Sequence, residues 1–194
     1  MGRSSVVAEL SHPAIQRVVD AAARKGIPLD IQLMPETTHT AEEAAAAVEA
    51  DLGQIVKSLV FVAPRSEGRL ALIICLVSGR NQADIDLLNA VTGEVAIRRA
   101  TAREARELTG FSIGGIPPLG YGRDVRILMD PDLCQYQWIW AAAGTDTAVF
   151  KVAPLVLQML SNAVVAPFSQ APWSRAAAAP AVESRLQFEA GAGA

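Results

Sequence analysis

The chain has 194 residues, of which 51% are hydrophobic, and a formal net charge of −3. This size supports one domain with a normal core, and the charge excludes a broad basic surface that tracks a nucleic-acid backbone. Two cysteines are too few for a disulfide framework. No signal peptide and no bilayer-length apolar run occurs, so we expect a cytoplasmic protein without membrane contact.

The N-terminal part alternates helix and strand signals. A helix is predicted from a Ser11 cap to Gly26, because apolar residues recur between them at helical spacing. Residues 29–34 are predicted to form a strand. Thr40 and Glu43 form a capping-box pattern ahead of an Ala-rich helix.

Two central strands are predicted at residues 55–63 and 70–78. Both runs are apolar on both faces and turn residues separate them, so they should pair as a hairpin covered on each side. The same signals predict the later elements: a helix at 83–91, a strand at 95–100, a helix opened by a Thr101–Glu104 capping box, strands at 125–129, 138–144 and 148–152, and a helix opened by Pro154.

Helices and strands mixed with hairpins predict an α+β fold around a largely antiparallel or mixed sheet. We expect residues 29–170 to form the folded domain, with residues 1–28 as a helical segment packed on it. Residues 171–194 are of low complexity and are predicted to be a flexible tail.

Motifs for nucleotide and metal chemistry are missing from the sequence. It has no Walker A loop, no strand-linked GxGxxG, no HExxH and no CxxC pair. His12 and His39 have no neighbours at ligand spacing, so we interpret each as a cap or surface residue. The sequence therefore predicts neither a metal site nor a cofactor.

Lys57 is a charged residue within an apolar strand. By alternation it shares a face with Ile55, Leu59 and Phe61. An ammonium group there must reach water, find a partner or meet an anionic ligand. Two interpretations stay open: the stem packs while the charge escapes at the end of the strand, or Lys57 is functional. Phe61 is either a pocket residue or part of the core.

Glycine and proline are concentrated in one loop, Gly114-Gly115-Ile116-Pro117-Pro118-Leu119-Gly120. Glycine permits unusual dihedrals and close approach of a ligand, while proline fixes the chain and removes competing donors. The N–H groups of Gly114, Gly115 and Ile116 could therefore form a cradle for an anion or a carbonyl oxygen. The alternative is a rigid surface turn without a ligand.

Two weaker signals follow from turn and charge patterns. Gly144 and Asp146 lie in a turn between apolar strands, where Asp146 is either a pocket carboxylate or an ordinary turn residue. Four arginines form a small basic cluster that could contact phosphates or could simply be a solvated face. The members of this cluster are Arg98, Arg99, Arg103 and Arg106.

Three segments, in this order and spacing, resemble the YbaK/prolyl-tRNA-synthetase-associated editing-domain family: residues 40–61, 110–121 and 138–154. The resemblance extends over about Leu29 to Val165. It implies a mixed α/β fold with a curved, mostly antiparallel sheet and surrounding helices. It also implies a hydrolase that deacylates mischarged tRNA carrying a small amino acid, with Ala or Cys on tRNA(Pro) foremost.

The resemblance carries Lys57 over as the active-site lysine and residues 114–120 as the loop that binds the charged 3′ end of tRNA. Gly144 and Asp146 are further candidates, although many short relatives have a Pro-His pair where this chain has Asp146-Thr147. The implied nucleophile is water, and the implied partners are mischarged tRNA and, as a further candidate, prolyl-tRNA synthetase. A non-catalytic tRNA- or nucleotide-binding module of the same fold is the alternative.

Overall fold

The computed structural model describes residues 9–34 and 40–171. The α-helices in these ranges are α1 (Pro13–Ala23), α2 (Ala41–Ala47), α3 (Ile85–Thr92), α4 (Ala102–Thr109) and α5 (Pro154–Ser161). The strands are β1 (Ile31–Leu33), β2 (Ile55–Pro64), β3 (Leu70–Ser78), β4 (Gln82–Ala83), β5 (Arg98–Arg99), β6 (Arg126–Met129), β7 (Ile139–Ala142), β8 (Ala148–Val152), β9 (Val164–Val165) and β10 (Ser169–Gln170). No helix within the described ranges is both long and apolar enough to cross a membrane. His39 and nearly all of the predicted tail lie outside the described residues.

Eight strands form one mixed sheet in the order β1-β8-β7-β2-β3-β6-β9, with β5 also paired to β2. The hairpin of β2 and β3 is confirmed, with register from Val56 opposite Ser78 to Pro64 opposite Leu70. The pairings β2–β7, β3–β6 and β6–β9 are parallel. The remaining pairings are antiparallel, so the predicted α+β class with a mostly antiparallel sheet is confirmed.

One edge of β2 pairs with β3, and the other edge pairs with two separate strands, β7 and β5. Strand β7 pairs with Ile55 and Val56, at the beginning of β2. Strand β5 pairs with Phe61 and Val62, nearer its end. Among the described residues, no strand therefore covers this edge at residues 57–59.

Both faces of the central hairpin are buried, as its apolar composition predicts. Val56, Val60 and Leu76 point towards α1 and α5 and belong to the larger core cluster. Phe61 and Cys75 point the other way, into a second cluster with α3. The sheet is thus the middle layer, and any pocket at the β2 edge is walled by packed, rigid elements.

Most predicted helix boundaries are confirmed, and two predictions are wrong in detail. The N-cap of α1 is His12 and not Ser11, since the His12 Nδ1 accepts a hydrogen bond from the Ala14 N–H at 3.1 Å. Both capping boxes form as predicted. The strand predicted at 95–100 shrinks to Arg98–Arg99, because Ala96 has a φ of 56° that interrupts the extended backbone.

Candidate active site

A cavity of about 250 Å³ opens where the edge of β2 lacks a strand partner. Residues 55–60 of β2 form its base. Arg99 and Ala100 bound it at the β5 end, and residues 140–142 bound it at the β7 end. Elements from both faces of the sheet supply the other described walls: Met34, Thr40, Ala41, Ala44, Val48, Ala105, Ile113, Gly114, Ile116, Thr145, Asp146 and Val149.

Lys57 lines this cavity, and its ammonium group is held by the turn that follows β3. The Nζ donates hydrogen bonds to the carbonyl oxygens of Gly79 at 2.9 Å and Asn81 at 2.5 Å. An ammonium has three N–H donors, so one donor remains for a further acceptor. The two carbonyls fix the position of a long, flexible side chain, which then needs no further ordering when a ligand binds.

The electrostatic surroundings of Lys57 make it a more acidic ammonium than usual. Burial is the main cause that lowers the pKa of Lys57, and the Arg99 guanidinium adds to the lowering. The carboxylates of Glu42 and Asp130 act in the opposite direction. The charged form of Lys57 is therefore balanced between desolvation and nearby charges, which is typical of functional lysines.

The turn that holds Lys57 is itself anchored by a buried carboxylate. Asp130 directly follows β6 and is 1% exposed. Its Oδ2 accepts hydrogen bonds from the Ser78 N–H at 3.1 Å and the Asn81 amide at 2.9 Å. Its Oδ1 accepts from the Asp132 N–H at 3.0 Å. Asp130 therefore positions Lys57 through the Asn81 backbone, without being among the residues that line the cavity.

The Gly/Pro loop contributes Gly114 and Ile116 to the cavity wall. Gly114 has a φ of +95°, so a residue with a side chain would be strained there. The predicted cradle is corrected at Gly115, whose N–H donates to the Ser112 carbonyl at 3.1 Å. Among the described residues, the N–H groups of Gly114 and Ile116 have no acceptor, so these two remain as donors.

Gly115 is needed for close packing and not for approach of a ligand. A Cβ added to Gly115 would lie 2.6 Å from the Thr145 Cα, far inside contact distance. The loop and the β7–β8 turn therefore touch backbone to backbone at this point. Because Gly114 and Asp146 lie beside this contact and both line the cavity, Gly115 sets the distance between two of its walls.

The other predicted residues of the loop and turn support the cavity from behind. Pro117 and Pro118 are buried, and neither is among the residues lining the cavity. Gly120 and Gly144 have φ values of +89° and +108° and pack against the backbone of α1. Phe61 is 1% exposed in the second core cluster and is not among the residues that line the cavity.

Asp146 is brought to the cavity together with Lys57, Gly114 and Ile116. The neighbouring Thr147 is tied to the rest of the chain, since its hydroxyl donates to the Glu9 carboxylate at 2.5 Å and its carbonyl accepts from the Met34 N–H at 2.7 Å. The β7–β8 turn is thus fixed at the cavity mouth. Asp146 is the acidic side chain among the described wall residues.

The backbone of Ser58 is a donor and acceptor pair that the sequence does not reveal. The Val60 carbonyl accepts from the Ala100 N–H at 3.0 Å, so even-numbered β2 residues direct their backbone groups to the β5/β7 edge. Ser58 lies on that edge between the two partner strands. Its N–H and C=O therefore face the gap, where a ligand could complete the sheet pairing.

Neither cysteine is placed or poised to act as a nucleophile at this cavity. Cys75 is completely buried on the α3 face, and burial raises its pKa. Cys134 is exposed, and partial burial together with Asp130 raises its pKa. A high thiol pKa leaves little reactive thiolate at neutral pH. Across the described ranges there is also no group of three or more His, Cys, Asp or Glu residues that could hold a metal ion.

Local sequence spacing could not identify Arg99, Ser58 or the α2 wall as cavity residues. Each is placed there by strand pairing or helix packing between distant segments. The only sequence signal for Arg99 is its position in the arginine cluster, which does not distinguish it from its neighbours.

Comparison with known proteins identifies the class to which this fold and cavity belong. The model of the aminoacyl-tRNA editing domain family matches residues 35–160, well over half of the chain. The chain therefore belongs to the aminoacyl-tRNA editing domain family, a family of editing deacylases, and the resemblance found in the sequence is confirmed.

Individual relatives agree with this assignment. A solved structure described as a candidate trans-editing enzyme for prolyl-tRNA synthetase is 42% identical, with a TM-score of 0.74, and the match covers 81% of this chain and 98% of that one. The protein YwhH of Bacillus subtilis is 29% identical over 68% of this chain and 81% of its own length. The proline–tRNA ligase of Limosilactobacillus reuteri is 30% identical over 47% of this chain, but the match spans only 16% of the ligase.

The support of Lys57 by Asp130 can be tested by stability measurements. Asp130→Ala removes the acceptor of the buried Ser78 N–H, the acceptor of the Asp132 N–H and one of the two acceptors of the Asn81 amide, so we expect the free energy of unfolding to fall by about 2–4 kcal/mol. Asp132→Ala is the matched control, since Asp132 is exposed and accepts from the same Asn81 amide at 2.7 Å. Its expected loss is below about 1 kcal/mol. Urea denaturation measures both, and equal losses would show that Asp130 does not anchor the turn.

Proposed function

We propose that this chain hydrolyses the ester bond of tRNA that carries the wrong small amino acid, with Ala or Cys on tRNA(Pro) as the foremost substrates. The observation that carries this proposal is the position of Lys57 at the gap in β2, inside an apolar cavity of about 250 Å³ with one N–H donor to spare. The relatives add the substrate class, since one is named as a candidate Cys-tRNA(Pro)/Cys-tRNA(Cys) deacylase from Enterococcus faecalis, 23% identical over 63% of this chain.

Cavity size favours a small acyl group. Pockets that enclose a drug-sized ligand occupy roughly 300–1,000 Å³, and this cavity is smaller. Its walls include Val60, Ala105 and Ile116, which belong to the main core cluster. These side chains cannot move apart without disturbing the packing of the core, so they limit the size of the aminoacyl side chain that fits.

In the proposed reaction, water attacks the ester carbonyl and the bond to the ribose oxygen breaks. The proton from water passes to the ribose oxygen, giving free amino acid and uncharged tRNA. Lys57 and the N–H groups of Gly114 and Ile116 are the donors that would stabilise negative charge on the carbonyl oxygen. In this proposal the part of Lys57 and the two N–H groups is electrostatic, and the substrate's own ribose hydroxyl is available to orient the water.

An enzyme that discriminates between aminoacyl esters of similar size needs more than a difference in apolar contacts. An apolar pocket discriminates at that level by only about 1–3 kcal/mol. Rejection of cognate Pro-tRNA(Pro) therefore requires that the proline ring does not fit, or that its ester is misplaced relative to Lys57. Rigid walls around a fixed ammonium group would supply either condition.

Removal of the Lys57 charge tests its catalytic role. Lys57→Met keeps the stem and removes the donor, so we expect deacylation of Ala-tRNA(Pro) to slow by about a hundredfold or more, with the fold retained. Lys151→Met is the matched control, because Lys151 is an exposed lysine of the same sheet that does not itself line the cavity, although it stacks on the wall residue Trp140. Unchanged turnover by a folded Lys57→Met protein would reject this role for Lys57.

Substrate range is tested with one tRNA carrying different amino acids. We expect the purified protein to hydrolyse Ala-, Cys- and Ser-tRNA(Pro), with the alanyl ester hydrolysed fastest. We expect it to leave Pro-tRNA(Pro) intact. Single-turnover deacylation rates at equal protein concentration measure this directly. Rapid hydrolysis of Pro-tRNA(Pro) would contradict proofreading, and binding without hydrolysis of any ester would favour a non-catalytic module of the same fold.

A further inference from the structure

Arg99 is an exposed cation at the rim of the cavity. It belongs to β5, and its backbone pairs with Phe61 of β2. The guanidinium carbon lies 5.3 Å from the centroid of the Phe61 ring, which holds the side chain over the sheet. Arg99 is thus positioned on the β5 side of the gap while its donors stay accessible.

The neighbouring arginines are already engaged, and Arg99 is not. Arg98 donates two hydrogen bonds to a glutamate of α4 at 2.7 and 2.9 Å. Arg103 pairs with another α4 glutamate at 3.2 Å, and Arg106 donates to the Ser112 hydroxyl at 2.6 Å. Among the described residues, the Arg99 guanidinium has no hydrogen-bond acceptor. An unpaired guanidinium presents a planar set of donors that matches a phosphate group.

Lys57 and Arg99 place two cations around one small apolar cavity. Asp146 is the one carboxylate of the described wall, so the two cations leave the cavity with an excess of positive charge that favours an anionic ligand. An ester-bearing terminal nucleotide has such an anion, because its ribose carries the acyl group on one side and the linking phosphate on the other. If the ester enters the gap at Lys57, the phosphate must remain near the rim.

We propose that Arg99 binds the phosphate that joins the terminal, aminoacylated nucleotide to the rest of the tRNA. This assignment rests on the proposed function, and it makes Arg99 a substrate-positioning residue that anchors the nucleotide while Lys57 contacts the reacting ester. Arg98 carries no such role, because its guanidinium is occupied by its α4 glutamate.

The test uses Ala-tRNA(Pro) and two minimal esters that differ from each other only in the 5′-phosphate: 3′-O-alanyl adenosine 5′-monophosphate and 3′-O-alanyl adenosine. Arg99→Gln should lower kcat/KM about tenfold or more for the two phosphate-bearing substrates and leave the adenosine ester nearly unchanged. Arg98→Gln removes the same charge from the residue directly before Arg99, and it should change kcat/KM for none of the three substrates by more than about twofold. Far-ultraviolet circular dichroism verifies that both variants fold.

The other possible outcomes would overturn either the phosphate assignment of Arg99 or the proposed function itself. An equal loss on all three substrates would mean that Arg99 acts through Lys57 or through cavity structure, and the phosphate assignment would be overturned. Equal losses in the Arg98 and Arg99 variants would indicate bulk charge and would overturn it as well. If the wild-type protein hydrolyses none of the three esters, the proposed function itself fails, and the two failures are thereby distinguished.

Discussion

Strand β2 pairs along one edge with two strands that come from different parts of the chain, and the space between these two strands is where the candidate active site lies. Strand β7 stops pairing at Val56, and β5 starts at Phe61. A strand edge with unsatisfied backbone groups is normally a liability in a folded protein. Here the loop 111–122, the β7–β8 turn and helix α2 surround the gap, so that it is sheltered but not filled.

Placement of an ammonium group at this gap needs support from several elements at once. Lys57 is held by carbonyls of the turn after β3, and Asp130 from the end of β6 holds that turn. A buried carboxylate is costly unless its acceptor sites are filled, and Asp130 accepts hydrogen bonds from three donors. The cost of burying Asp130 is thereby offset, and the position of Lys57 becomes a property of the core and not of a flexible side chain.

Local signals in the sequence sufficed for most of the elements, and they singled out Lys57, which lines the candidate cavity. The β2–β3 hairpin, both capping boxes and the unusual face of Lys57 follow from periodicity over a few residues. The gap could not be predicted, because it depends on parallel pairing of β2 with β7 and on the backbone reversal at Ala96 that shortens β5. The glycine at position 115 indicates that another group packs closely against the backbone there. The sequence cannot show that this group is the Thr145 backbone and not a ligand, because the contact joins distant segments of the chain.

The central claim is that the aminoacyl end of tRNA binds in the β2 gap against Lys57, and chemical-shift mapping with a stable analogue tests it most directly. The probe is 3′-deoxy-3′-alanylamino adenosine 5′-monophosphate, whose amide cannot be hydrolysed by ester chemistry. A second concave surface, near Arg24, Lys25 and Arg123, offers a competing site on the same molecule. We expect amide shifts to concentrate at residues 57–59, Gly114 and Ile116. Shifts confined to the surface near Arg123, with the β2 gap unchanged, would contradict the account.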